Sequence, residues 1–248
     1  MIRNPPPRTL TFAVCLLGTI VSIVACGCGG DRVIQPVNRS TASLDPAPGL
    51  DSPQGALRYL AWSLNRRDWR RYTEILTDDF RFAFAVSDSA GNTFRDRAFT
   101  RAEEVQVARH MFETGLPPRP PFDRFSLTLS SPLVQLPDPR PGKSPLVHRA
   151  IRANLVISAD NADASFRITA AGFFFLVRGD SAQIPQELRD RGLVPDASRW
   201  WVERWEDETI ENPAVPGQAA VPGQAAMPGQ AAMPGRAITW GAVKVLYY

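Results

Sequence analysis

The chain changes its apolar period near residue 77, and that switch limits its fold more than any other feature. Upstream, Leu57, Leu60, Ala61 and Leu64 recur at the i, i+3, i+4, i+7 spacing of one helix face, with Ser52 placed as a cap and Pro53 at the first helical position. Asp68 offers a second cap, and Trp69, Tyr72, Ile75 and Leu76 form the next apolar face. Two short helices joined by Asn65-Arg66-Arg67 and packed as a hairpin are predicted. From Phe80 the period is two: Phe80, Phe82, Phe84 and Val86 alternate with Arg81, Ala83 and Ala85, which puts three aromatic rings on one face of a strand.

The rest of the chain extends this pattern. Asp88 to Asn92 supplies a turn, and Thr93 to Phe99 is read as a short second strand. Thr100-Arg101-Ala102-Glu103 fits a capping box that opens a third helix, lined by Val105, Ala108 and Phe112 and ended by Gly115 and Pro117. Alternation then returns at Phe125 to Ser130, Ile151 to Ile157 and Phe166 to Val177, with further strands expected at Trp200 to Trp205 and Ile238 to Tyr247. The fold class is therefore α+β, three N-terminal helices packed on a strongly curved, mostly antiparallel sheet. In a regular strand Trp201 and Trp205 share a face and Trp200 takes the other.

The N-terminus has a different character. Arg3 and Arg8 precede a run from Leu10 to Ala25 that carries no charge. Sixteen residues at helical rise span roughly 24 Å, short of the ~30 Å bilayer core, so an export signal is favoured over a permanent span. Residues 27–51 are rich in Gly, Pro, Ser and Asp without a period and read as a tether. Their Gly-x-Gly-Gly is no dinucleotide fingerprint, because Arg32 stands where a third glycine is needed. The expected divisions are a signal peptide at 1–25, a tether at 26–50 and one domain at 51–248. Near the end, 212–237 holds the repeat VPGQAA, VPGQAA, MPGQAA, MPGRA. Its Pro-Gly pairs favour type II turns and it has no apolar face, so it reads either as an interaction loop or as a neutral expansion tolerated at a hairpin tip.

Two resemblances follow from these residues. Ile23-Val24-Ala25-Cys26 resembles the bacterial lipobox, which implies cleavage before Cys26 and acylation of that residue, and hence an exported protein anchored to a membrane facing the periplasm or cell exterior. An ordinary secretory signal, leaving Cys26 and Cys28 as thiols, is the alternative. The stretches SPQGALRYLAWSLNRRDWRRYTEILTDDFRF, TRAEEVQVARHMF and WWVERWEDE followed by TWGAVKVLY resemble the nuclear-transport-factor-2-like family over roughly 51–248, less the repeat. That resemblance implies a conical cavity used for a small apolar ligand, for isomerase, dehydratase or cyclase chemistry, or for a protein partner, and a homodimer formed through the sheet. Fold alone does not choose among these.

Composition and motifs narrow the chemistry. With 28 Lys+Arg against 25 Asp+Glu the chain lacks the excess of a nucleic-acid coat, so no nucleic-acid partner is expected. Removing Arg3 and Arg8 with the signal leaves 26 cations against 25 acids, and a domain without cysteine. Neither CxxC nor HExxH occurs, so no metal and no cofactor are expected. Gly179-Asp180-Ser181-Ala182-Gln183 falls one glycine short of a nucleophile elbow and reads as a loop. His110 and His148 read as edge residues, Asp78 and Asp79 as a helix-to-strand turn. No catalytic residue is assigned. Tyr72, Trp201 and Trp205 are the candidate lining of the cavity, although core packing explains each of them as well. The arginine cluster Arg66, Arg67, Arg70 and Arg71 suits either an acidic partner or lipid headgroups, or else a solvated helix surface. The expected function is a membrane-anchored small-ligand-binding or assembly module, with a small-molecule isomerase, dehydratase or hydrolase as the alternative.

Overall fold

A computed structural model describes residues 45–86, 94, 97–208 and 239–248. The signal segment, Cys26, most of the tether and the repeat at 212–237 lie outside the described residues.

Helix α1 (Pro53–Asn65) begins as its residues require: the Ser52 side chain accepts from the Gly55 amide at 3.1 Å and proline occupies the first turn. Gly55 is needed because a Cβ there would stand 2.3 Å from the Gly49 carbonyl oxygen. Residues 45–50, assigned above to the tether, thus lie against the domain, and the Leu50 carbonyl accepts from the Trp200 amide at 2.7 Å. After α1 the chain reverses through Arg67 at φ 54° into α2 (Trp69–Thr73), capped by Asp68. That helix is a single turn. The Ile75 carbonyl is already taken by the Val202 amide of a distant strand, at 2.9 Å, so pairing with the sheet competes with further helix.

The sheet has seven strands: β1 (Leu76–Ala83), β2 (Phe99–Thr100), β3 (Arg124–Leu129), β4 (Val134–Pro137), β5 (His148–Asp160), β6 (Ser165–Arg178) and β7 (Trp200–Asp207). Their order is β2-β1-β7-β6-β5-β3, with β4 also on β5. β3 and β4 occupy successive stretches of one β5 edge, opposite residues 155–160 and 149–152. β1 and β7 run parallel and every other pairing is antiparallel, so the sheet is mixed.

Alternation decides burial along β5: Ile151, Ala153, Leu155, Ile157 and Ala159 face the main core, where they meet Leu57, Leu60 and Leu64 of α1 and Phe80 and Phe82 of β1. Helix α3 (Arg101–Arg109) carries the predicted capping box and continues into a π-helical turn, His110–Thr114, before Gly115 at φ 67°.

Four expectations need correction. The helices do not form one N-terminal layer: α2 is a single turn, and β1 and β2 precede α3 in the chain. The segment expected as a strand at 93–99 contributes only Phe99–Thr100 to the sheet among the described residues. The expected last strand at 238–247 is instead a helix, α5 (Trp240–Leu246), with Thr239 as its cap. Its alternation Val243, Val245, Tyr247 competes with a helical set, Trp240, Val243, Tyr247, and burial against the core favours the second.

Finally, Trp201 and Trp205 do not share a face. Phe175 pairs with Arg204 and Leu176 with Val202, so Glu203 is an extra residue, a β-bulge that reverses the alternation. Trp200, Val202 and Trp205 enter the main core. Trp201 joins Val177, Ile184 and Leu188 on the opposite face, beneath α4 (Gln186–Asp190).

The capping carboxylate makes the fold acid-sensitive. Partial burial raises the Glu103 pKa, but the Thr100 amide, Arg97, the Tyr248 hydroxyl and the Thr100 hydroxyl outweigh it and hold the group at about 2, below the ordinary 4.5. Between those values the unfolded chain binds more protons than the folded one, so this contribution is complete above pH 4.5 and is lost as pH falls toward 2. Glu103→Gln should therefore melt lower than the parent at neutral pH and lose less stability on acidification through that window, as read by melting temperature against pH.

Candidate functional site

The domain interior brings together Tyr72 at the end of α2, Glu104 on α3 and Lys244 on α5. Glu104 Oε1 accepts from Tyr72 Oη at 2.6 Å and from Lys244 Nζ at 2.5 Å. Lys244 and Glu104 side chains are 0% and 1% exposed. The ammonium also lies 3.7 Å from the Phe82 ring centroid, 4.9 Å from Trp205 and 5.6 Å from Trp240, a three-sided aromatic box.

Each element places its group for a local reason. Glu104 follows the capping residue Glu103 and so sits on the inner side of the first turn of α3. Helix α5 is capped twice, since Thr239 Oγ1 accepts from the Ala242 amide at 2.9 Å and Asp207 Oδ2, at the end of β7, accepts from the Gly241 amide at 3.0 Å. One turn later Lys244 points inward. Trp205 pairs with Phe174 of β6, and its indole fits because Gly172, two residues away on that strand, has no side chain: a Cβ there would stand 2.9 Å from the indole Nε1.

Electrostatics follow from burial. Burial raises the Tyr72 hydroxyl well above its ordinary pKa of 10.0, and the Glu104 charge and hydrogen bond add to that, so the phenol stays protonated. Burial pulls Lys244 below 10.5 while Glu104 pushes it back up. Chemically the cluster is a phenol donor and a carboxylate whose one oxygen is pinned by an ammonium. Among the described residues, Glu104 Oε2 and the indole Nε1 atoms of Trp205 and Trp240 have no hydrogen-bond partner.

Of the residues singled out in the sequence, Tyr72 and Trp205 meet around Lys244, whereas Trp201 lies on the other side of the sheet, displaced by the bulge. Cys26 lies outside the described residues. His110 Nδ1 is 2.8 Å from the Tyr247 carbonyl oxygen and holds the end of α5, and His148 starts β5. Sequence reasoning missed Glu104 and Lys244. The signal for Lys244 was present in Thr239 followed by the helical spacing Trp240, Val243, Tyr247; Glu104 had none, because its partner is 140 residues away.

Two surface clefts lie elsewhere. The larger, about 480 Å³, is bounded by Arg81, Phe84, Phe94, Arg97, Thr100 and Arg204, with Arg97 paired to Glu103 and Arg204 to Glu206. Among the described residues no group of three or more His, Cys, Asp or Glu could hold a metal ion, and no helix is long and apolar enough to cross a membrane.

No protein-family model and no curated protein matches the sequence. Solved structures do resemble the chain. A provisionally assigned scytalone dehydratase from Novosphingobium aromaticivorans shares 11% identity over 63% of this chain and 80% of its own, with a TM-score of 0.43. An NTF2-like protein of unknown function in nutrient uptake from Rhodospirillum rubrum shares 14% over 64% and 99%, with a TM-score of 0.40. A ketosteroid isomerase-like protein from Erwinia carotovora atroseptica shares 13% over 65% and 95%, with a TM-score of 0.39.

Removing the Lys244 charge leaves Glu104 buried with no opposite charge on its carboxylate, only the Tyr72 hydroxyl. Lys244→Met should cost about 3–5 kcal/mol in urea unfolding, and adding Glu104→Gln should restore a large part of that loss. Equal stability of the single and double variants would show that the two groups do not act as a pair.

Proposed function

We propose that this chain is an exported protein anchored to a membrane through acylated Cys26, and that its domain is a binding or assembly module of the nuclear-transport-factor-2-like kind without chemistry of its own. The observation that carries the reading is the sealing of the interior. The ionisable groups that suit acid–base work, Tyr72, Glu104 and Lys244, are 1% exposed or less, and Trp240, Val243 and Tyr247 of α5 pack into the same core. A general base must come within hydrogen-bond reach of its substrate. With α5 packed beside these groups, this reading puts recognition on the outer surface.

Anchoring is supported by the uncharged run Leu10 to Ala25 ending in Ile23-Val24-Ala25-Cys26.

A second reading has one observation in its favour. Glu104 Oε2 is unpaired beside a protonated phenol, the equipment of an isomerase or dehydratase, and it would be usable only with α5 withdrawn. A small molecule retained by the purified chain in native mass spectrometry, and lost in Tyr72→Phe, would favour that enzyme over the binding module.

Metabolic labelling with a fatty acid tests the anchor. The wild type should carry label and fractionate with membranes, while Cys26→Ala should carry none; equal labelling of the two would overturn the lipoprotein reading.

A further inference from the structure

We infer that the seat of the Lys244 ammonium is a binding site for a small organic ammonium ion, and that α5 competes for it by supplying a lysine of its own. This names a ligand class for the interior that the second reading above leaves open. It rests on that reading only in taking α5 as displaceable, and the anchor at Cys26 plays no part in it.

Most of the seat is built from outside α5. Glu104 is on α3, Tyr72 on α2, Phe82 on β1 and Trp205 on β7, whereas α5 brings the ammonium itself and the third ring, Trp240. The carboxylate attracts a cation by charge and hydrogen bonding, and the rings attract it through their negative faces, with both effects strengthened by burial. The same groups reject other ligands. Asp207, 5% exposed, adds to the negative field at the ammonium, so an anion is repelled. A purely apolar group would leave the buried Glu104 carboxylate without an opposite charge.

Lysine leaves part of this site unused. Among the described residues Nζ donates to Glu104 Oε1, while the other carboxylate oxygen, Oε2, is buried without a partner. The ammonium arrives on a stem from a helix fixed by Thr239 and Asp207, and that limits which oxygen it reaches. A free ammonium carries the same three donors untied to a backbone, so it can turn to bridge both oxygens. Stability alone does not call for this arrangement, because an apolar residue in place of each charge would fill the volume without desolvating either. Recognition of a cation does call for it.

Lys244→Ala removes the outer methylenes and the ammonium, the atoms that n-propylammonium supplies. In the full-length variant, propylammonium chloride should raise the melting temperature with an affinity about tenfold or more above that of n-propanol, which has the same shape. That preference should vanish in Lys244→Ala/Glu104→Gln. The wild type should respond about a hundredfold more weakly, because the ligand meets only the fraction of chains whose own lysine is out. Propanol matching propylammonium, a preference that persists in the double variant, or an equal response in the wild type would each overturn the site. If Lys244→Ala does not fold unaided, propylammonium and not propanol should restore folding on dilution from urea, and failure with both overturns the site as well. Native mass spectrometry of the wild type and Tyr72→Phe reads the enzyme alternative separately: a retained molecule with no ammonium group would keep that alternative and overturn the ligand class.

Discussion

The contact on which the rest of this molecule depends joins Lys244 to Glu104 in the dry centre of the domain. Two opposite charges gain from each other only after a large desolvation cost, and here the remaining surroundings are aromatic faces and one phenol. Such a pair adds little net stability against an apolar substitute, but it tolerates no misplacement. It specifies that α5 packs with Lys244 inward, against α3 and α2. Because α5 is capped from the end of β7 through Asp207, the same arrangement ties the last strand to the first helices.

Once α5 is seated there, Trp240, Val243 and Tyr247 are part of the same buried core as Tyr72. A carboxylate, a phenol and an amine would be a catalytic set in an open cone; with Trp240, Val243 and Tyr247 packed among them they become a structural network. Tyr72, Glu104 and Lys244 are all buried.

Much of the fold was legible in local pattern. Ser52 with Pro53 marked the start of α1, Thr100 with Glu103 marked α3, and the alternation at 151–157 and 166–177 lies within β5 and β6, while that at 125–130 overruns β3 by one residue. Each signal depends on residues within a turn or two of one another. Two errors share the opposite origin. The strand expected at 238–247 became a helix because its apolar residues satisfy both periods and only the surrounding core decides between them. The faces of Trp201 and Trp205 were misassigned because Glu203 is bulged, held on the outer side by Arg140 and Lys143 from a loop sixty residues earlier.

What the sequence determined by itself is therefore what near neighbours set: where most helices and strands begin, which of their faces is apolar, and the charge balance. Tertiary structure alone decided the mixed order of the sheet, the side of it on which each tryptophan lies, and the meeting of Tyr72, Glu104 and Lys244 across three elements. The reason lies in the range of the interactions. Caps and periodicity act over three to seven residues and leave a mark in the sequence, whereas burying a charge depends on a partner 140 residues away, and nothing in the local pattern records that distance.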